Sequence, residues 1–137
     1  MRLKPPKIIR RLMPDLIWEI DDPEGVFLTF DDGPTPGITE WILSTLDKYG
    51  AKATFFVLGK NVEMYPDLYQ RIVDAGHRVG NHTYSHQKGW GMSLERYTED
   101  VDFANDLIRS DLFRPPYARI TPAQARFLGQ RYKLVMW

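Results

Sequence analysis

Two adjacent carboxylates, Asp31 and Asp32, belong to the run 29–34, which follows directly on the apolar residues 26–28. Aspartate is depleted in strands, and an unpaired buried carboxylate is strongly unfavourable, so the pair must be solvated, bound to a cation or held by hydrogen-bond donors. Asp-Gly-Pro is also common in loops, so a solvated acidic turn is the alternative interpretation. The sequence therefore predicts either a cation site or an acidic turn at the end of a strand.

Two of the three histidines, His82 and His86, stand four residues apart. They can face the same way within one helical turn or a tight loop and hold a transition metal together. A catalytic zinc site usually has three protein ligands and a water, so a carboxylate of the Asp31–Asp32 pair would complete the set. By itself the spacing is a weak signal, because a histidine is more often a packed or surface residue. His77 is predicted to be structural.

Arg114 is followed by two prolines and Tyr117. The prolines restrict the backbone and form a stiff turn, which can aim an N–H group. The alternative is a strand-ending turn whose arginine pairs with a surface acid.

Strands and helices alternate along the chain, which favours parallel strands with outer helices and places every candidate residue at or just after the carboxyl end of a strand. A complete (β/α) barrel usually takes about 200 residues or more, so this chain predicts an incomplete barrel of about five parallel strands. The predicted strands are 25–30, 53–58, 77–80, 112–114 and 133–137. The predicted helices are 38–49, 66–75, one capped by Ser93 that runs to about 109, and one that begins with a capping box at Thr121 and Gln124. Helix 38–49 is expected to have Ile38, Trp41, Ile42 and Leu46 on one face.

The composition is that of one globular domain: 137 residues, 43% of them apolar, with 18 basic and 18 acidic side chains. The balanced charge does not suggest a nucleic-acid partner. No cysteine occurs, so a metal would be bound by nitrogen and oxygen. Residues 1–24 are predicted to form an N-terminal arm and residues 25–137 the domain. No signal peptide or membrane span is recognised, so the chain as written is expected in the cytoplasm. The oligomeric state is left open.

The three segments together resemble the polysaccharide deacetylase family, the NodB-homology domain of carbohydrate esterase family 4. Residues 29–34 match its opening Thr-Phe-Asp-Asp-Gly-Pro motif, residues 82–86 its His-(Ser/Thr)-x-x-His motif, and residues 114–117 its Arg-Pro-Pro-Tyr motif. Their order and spacing agree, and residues 53–56 and 75–80 are also similar to the family. The resemblance implies an irregular (β/α) barrel, here incomplete at the C-terminus, and in many members an extracytoplasmic site of action.

The resemblance also implies an activity, metal-dependent removal of N-acetyl groups from carbohydrates that contain N-acetylglucosamine. Asp31 would be the general base, Arg114 would orient Asp31, and the backbone N–H of Tyr117 would stabilise the oxyanion. Tyr84, Trp90 and Tyr117 could form an aromatic floor for a sugar ring, although core packing is the alternative for Tyr84 and Trp90. The divalent metal, zinc or alternatively cobalt or nickel, would be held by Asp32, His82 and His86.

The chain departs from the family in two places. Ala118 follows Tyr117 where glycine is common, a difference that matters if this position needs positive φ. The chain also stops at Trp137, before the family's Asp-Trp motif and its Leu-x-x-x-x-His motif, whose histidine is the general acid. We therefore expect the intact protein to be longer. The alternative function is a metal-binding, carbohydrate-recognising domain with little or no turnover.

Overall fold

The computed structural model describes residues 7–20, 22 and 25–137. In this part of the chain six strands form one sheet in the order β1-β6-β5-β4-β3-β2, and every neighbouring pair is parallel. The sheet is curled into a half-barrel with helices outside it. The strands are β1 Leu16–Ile17, β2 Leu28–Asp31, β3 Ala53–Val57, β4 Arg78–Asn81, β5 Leu112–Phe113 and β6 Lys133–Val135.

From β2 onward, helices fill each connection between successive strands, as βαβ units require, and one further helix precedes β1. They are α1 Lys7–Leu12, α2 Ile38–Lys48, α3 Gly59–Met64, α4 Pro66–Asp74, α5 Leu94–Ile108 and α6 Pro122–Leu128, with a 3-10 turn at Pro116–Ala118. No helix among the described residues is both long and apolar enough to cross a bilayer.

The predicted helix starts at Ser93 and Thr121 are confirmed. Ser93 Oγ accepts a hydrogen bond from the N–H of Arg96 at 3.3 Å, which satisfies a free donor in the first turn of α5. Thr121 and Gln124 form a reciprocal capping box at α6: Gln124 N–H donates to Thr121 Oγ1 and Thr121 N–H donates to Gln124 Oε1. Short side chains and local hydrogen bonds set these boundaries, which is why they can be read from sequence.

Helix α5 joins the two hydrophobic cores of the half-barrel. Its N-terminal half places Tyr97 and Val101 in a core with Phe113. Its C-terminal half places Ala104 and Ile108 in a second core with residues of α2 and β3. Because one helix belongs to both cores, the loop that precedes it and contains the two site histidines is held against a rigid support.

The prediction of five strands is corrected to six. The additional strand, β1, lies in the segment expected to be an arm, and it pairs with β6 through Leu16–Leu134 and Ile17–Val135. Two residues are too short for a recognisable alternation of apolar and polar positions, so only pairing with β6 reveals this strand. The short helices α1 and α3 were also not expected.

The predicted apolar face of α2 is wrong in part. Ile38 and Trp41 are exposed, whereas Thr39, Leu43 and Leu46 are buried. Helical periodicity alone cannot choose between two adjacent apolar stripes, and the choice is made here by the packing of α2 on β3 and α4.

Candidate active site and metal centre

The three segments singled out from the sequence meet at the carboxyl edge of the sheet. Strand β2 ends at Asp31, strand β4 ends immediately before His82, and strand β5 ends immediately before Arg114. Because all the strands are parallel, their carboxyl ends lie at one edge, the usual position of sites in (β/α) folds.

Asp32, His82 and His86 form a compact cluster in which one ligand atom of each residue lies within 4.8 Å of the others. Asp32 Oδ1 is 3.1 Å from His86 Nε2 and 3.4 Å from His82 Nε2. His82 is almost fully buried, whereas the side chain of Asp32 is 62% exposed. The cluster is therefore open on one side, as a metal site needs if it is also to hold water and substrate.

The tautomer of His82 follows from its other ring nitrogen. Nδ1 lies 2.6 Å from the carbonyl oxygen of Arg114, which can only accept, so Nδ1 carries the proton and donates it. The unprotonated Nε2 then faces Asp32, and a backbone carbonyl behind a ligating imidazole is a common arrangement in metal sites.

The charges of the cluster favour a cation at its centre. When the two rings are protonated, a hydrogen bond from His82 and the charges of both imidazoles hold the pKa of the Asp32 carboxyl below its usual value, so the carboxyl is ionised. Burial lowers the pKa of His86, which favours its neutral, ligating form, although the charge of Asp32 opposes this shift. Lone pairs on nitrogen and oxygen that converge on one point repel one another unless a cation lies between them. The residues present therefore fit a divalent metal with nitrogen and oxygen ligands.

Arg114 lies inside the sheet and holds the second carboxylate. Its side chain is 3% exposed, and Nη1 donates to Asp31 Oδ1 at 2.7 Å and to Thr29 Oγ1 at 2.9 Å. The guanidinium also donates to the carbonyl oxygens of Val135 and Met136. Because its donors reach two strands, β2 and β6, Arg114 is kept in one orientation and holds Asp31 beside the cluster.

Asp32 adopts a left-handed backbone conformation, with φ at 70°. Aspartate is one of the few residues that tolerate this region. The turn is held at both ends of the residue: Asp32 N–H donates to the carbonyl oxygen of Phe56 at 3.1 Å, and Asn61 Nδ2 donates to the carbonyl oxygen of Asp32 at 2.8 Å. Two neighbouring aspartates thereby face two different partners, Arg114 for Asp31 and the histidines for Asp32.

The histidine loop, residues 82–86, is fixed by groups that sequence reasoning missed. Asp100 of α5 accepts from the N–H groups of Tyr84 and Ser85 and from the hydroxyl of Ser85, the last at 2.6 Å. On the other side of the loop, two carbonyl oxygens accept from the first N–H groups of α3. Asp100 lies in the middle of α5, and Asn61, which holds the Asp32 turn, lies in the six-residue helix α3. Neither carries a local sequence pattern that would distinguish it from an ordinary surface residue.

Tyr117 and Ala118 both have positive φ, at 58° and 54°. The 3-10 turn is closed by hydrogen bonds from Ala118 N–H to the Pro115 carbonyl and from Arg119 N–H to the Pro116 carbonyl. Tyr117 N–H takes no part in these two bonds. The ring of Tyr117 lies 4.7 Å from the ring of His86 and is 57% exposed, so this turn borders the metal cluster.

The conformation of Ala118 leads to a stability prediction. Left-handed backbone costs an alanine about 1–2 kcal/mol relative to glycine, and the lost methyl packing on the core offsets only part of this. Ala118→Gly should therefore raise the free energy of unfolding by about 0.5–1 kcal/mol, measured by urea denaturation.

Ala123 provides the matched control for this substitution. It is exposed in helix α6, where glycine is unfavourable, so Ala123→Gly should lower stability by about 0.5–1 kcal/mol. A loss of stability in both variants would contradict the strain at Ala118.

The other aromatic and histidine candidates separate into two groups. The Tyr84 hydroxyl donates to Glu63, and its ring packs against Phe103, so Tyr84 is a packing residue. His77 is buried at the amino end of the sheet, where Ala53 N–H donates to its Nδ1, and it takes no part in the metal cluster. Trp90, by contrast, is 55% exposed.

The parallel half-barrel with Asp, His and Arg at its strand ends agrees with the irregular (β/α) barrel expected from the sequence. The chain belongs to the polysaccharide deacetylase family, whose model matches residues 20–133. A peptidoglycan-N-acetylglucosamine deacetylase of Bacillus cereus is 38% identical over 125 residues, which cover 82% of this chain and 43% of that protein. The solved Bc1960 peptidoglycan N-acetylglucosamine deacetylase has a TM-score of 0.79 at 35% identity, over 81% of this chain and 55% of that one.

A third comparison concerns a solved family 4 acetyl xylan esterase from Clostridium thermocellum in complex with a cobalt ion. It has a TM-score of 0.68 and 35% identity, and the match covers 72% of this chain and 51% of that one. The present chain thus spans about half the length of these relatives.

Proposed function

We propose that the protein removes N-acetyl groups from a glycan that contains N-acetylglucosamine. The observation that carries this proposal is the pairing of Asp31 with a buried arginine directly beside the Asp32–His82–His86 cluster. Hydrolysis of an amide needs a base for water, a centre that polarises the carbonyl and a donor for the developing oxyanion, and residues suited to all three needs lie at this edge of the sheet.

Asp32, His82 and His86 would hold a divalent metal, which we infer to be zinc. Two imidazoles and one carboxylate without thiolates suit zinc, and they also accept cobalt or nickel. The metal in the cobalt complex of the acetyl xylan esterase supports a cation at this site. When bound, it would lower the pKa of a coordinated water and polarise the acetyl carbonyl.

Asp31 would take the proton of the attacking water. Its carboxylate is 30% exposed, so water and substrate can reach it, while Arg114 fixes the direction of its free oxygen. Arg114 would act through Asp31 rather than on the substrate, because its guanidinium is buried and already committed to Asp31, Thr29 and two carbonyl oxygens.

Tyr117 would donate its backbone N–H to the oxygen of the acetyl carbonyl as the tetrahedral adduct forms. The left-handed conformation of Tyr117 and the contact of its ring with His86 support this assignment, since both keep the turn beside the cluster. A rigid N–H donor costs little reorganisation when charge develops on the oxygen.

Two of the three relatives named above are peptidoglycan deacetylases, so peptidoglycan is our proposed polymer, with chitin oligosaccharides as simpler substrates of the same chemistry. Peptidoglycan lies outside the cytoplasmic membrane, which would place the activity there.

Acetate release tests this proposal. The protein, with one equivalent of Zn²⁺, should release acetate from hexa-N-acetylchitohexaose or peptidoglycan, lose this activity on dialysis against EDTA and regain it when zinc is restored. Acetylated xylan, tested in parallel, separates N- from O-deacetylation. If the glycans bind but no acetate appears, the deacetylase assignment is wrong and a metal-binding, carbohydrate-recognising domain remains.

A further inference from the structure

An exposed row of three side chains, Tyr117, Arg119 and Trp90, extends from the metal cluster, and we refer to it as the aromatic ridge. Tyr117 contacts His86 at one end, with ring centroids 4.7 Å apart. The Arg119 guanidinium carbon lies 6.0 Å from the Tyr117 ring centroid and 5.5 Å from that of Trp90. The ridge therefore begins at a metal ligand and continues outward along the surface.

The backbone beneath the ridge is held in place. Gly89 N–H donates to the carbonyl oxygen of Arg119 at 2.7 Å, and Trp90 Nε1–H donates to that of Ile120 at 3.2 Å. Gly89 is required for this close approach, since a Cβ there would lie 2.8 Å from the Arg119 carbonyl oxygen. Gln124, which is buried, donates to the Gly89 carbonyl from below. Trp90 and Arg119 are thus positioned together although 29 positions separate them in the sequence.

The charge of Arg119 has no partner among the residues that the structure describes. Arg114 and Arg131 also lie over aromatic rings, but each is paired with a carboxylate, Asp31 and Asp102 respectively. No described carboxylate lies within 4.0 Å of the Arg119 guanidinium, and the side chain is exposed. Contact with the rings uses the face of the guanidinium, so the N–H groups along its edge remain free to bind a planar anion in a bidentate manner.

We propose that the aromatic ridge binds a sugar that carries a carboxylate, next to the N-acetyl sugar whose acetyl group reaches the metal cluster. This inference rests on the proposed function and deepens it. Exposed aromatic rings offer faces for the apolar side of a sugar, and the free edge of Arg119 matches a carboxylate. In peptidoglycan strands whose stem peptides have been removed, N-acetylglucosamine alternates with N-acetylmuramic acid, whose lactyl ether then carries a free carboxylate.

Two disaccharides that differ only in this lactyl group test the proposal. In calorimetric titrations, N-acetylglucosaminyl-N-acetylmuramic acid should bind about three- to tenfold more tightly than di-N-acetylchitobiose, because an exposed charge pair contributes modestly. This preference should shrink as salt is raised, since the pair is accessible to counterions. Arg119→Gln should remove the preference by lowering the affinity for the muramic-acid disaccharide to about that for di-N-acetylchitobiose, and Arg119→Lys should retain part of the preference.

Arg126→Gln is the matched control, because Arg126 is an exposed arginine of helix α6 outside the ridge. It should leave the preference intact. Equal affinity of the wild-type protein for both disaccharides, or the same loss in Arg126→Gln, would overturn the proposal. If acetate is released from chitin oligosaccharides but the lactyl preference is absent, only the role of the ridge fails. If neither sugar binds and no acetate is released, the proposed function fails with it.

Discussion

Asp31→Asn should reduce acetate release by about 10²- to 10⁴-fold, the contribution expected of a general base. Asparagine has nearly the same shape and can still accept a hydrogen bond from Arg114 through Oδ1, but it cannot take a proton from water. Zinc affinity should stay within about twofold, because Asp31 lies outside the ligand cluster. Acetate release and calorimetric zinc titration measure the two quantities on one preparation.

Asp111→Asn serves as the control for loss of a carboxylate. Asp111 pairs with Arg78 at 3.0 Å on the surface, and its side chain is 53% exposed, so activity should be unaffected and stability should fall by no more than about 1 kcal/mol. Normal acetate release by Asp31→Asn would exclude Asp31 as the base. Loss of zinc binding in that variant would show instead that Asp31 supports the metal site.

His82→Ala should lower zinc affinity by at least about 100-fold, because it removes a ligand that is buried and held in one tautomer by the Arg114 carbonyl. Competition with a chromophoric chelator measures the change. Acetate release at limiting zinc should disappear with it. Substitution of a ligand, unlike substitution of the base, thus affects metal affinity and turnover together.

His77→Ala is the matched control for removal of an imidazole. His77 is also buried, but it lies at the opposite end of the sheet and accepts a hydrogen bond from Ala53 N–H. Its replacement should reduce stability and leave zinc affinity unchanged. Equal loss of zinc affinity in both variants would indicate a general disturbance of the fold, and retention of affinity in His82→Ala would exclude His82 as a ligand.

Much of the fold could be predicted because its signals are local. The caps at Ser93 and Thr121, the helix opened by Pro66 and the other five strands depend on residues within a few positions of one another. The two-residue strand β1 and the exposed side of α2 could not be predicted, because each is decided by a partner far away in the chain.

The site, like the fold, could be predicted from sequence only in part. Asp32, His82 and His86 were expected to come together, and the structure brings them together; their role as ligands and the catalytic roles of Asp31, Arg114 and Tyr117 remain predictions. Asp100 and Asn61 were missed, since a carboxylate in mid-helix and an asparagine near a helix start are unremarkable in sequence. Asp100 matters because it holds the histidine loop, and Asn61 matters because it holds the Asp32 turn.

The sequence by itself determined the chemical groups, the family and the order of strands that carry those groups to one edge of the sheet. Residue types and short-range spacing are sufficient for that, because they specify ionisable groups and local hydrogen bonds. Tertiary structure decided the contacts that hold this arrangement, from Asp100 to the histidine loop and from Asn61 to Asp32, and it placed Arg119 against Trp90. These outcomes depend on contacts between residues tens of positions apart, which form only when the parallel strands align and the helices pack on them.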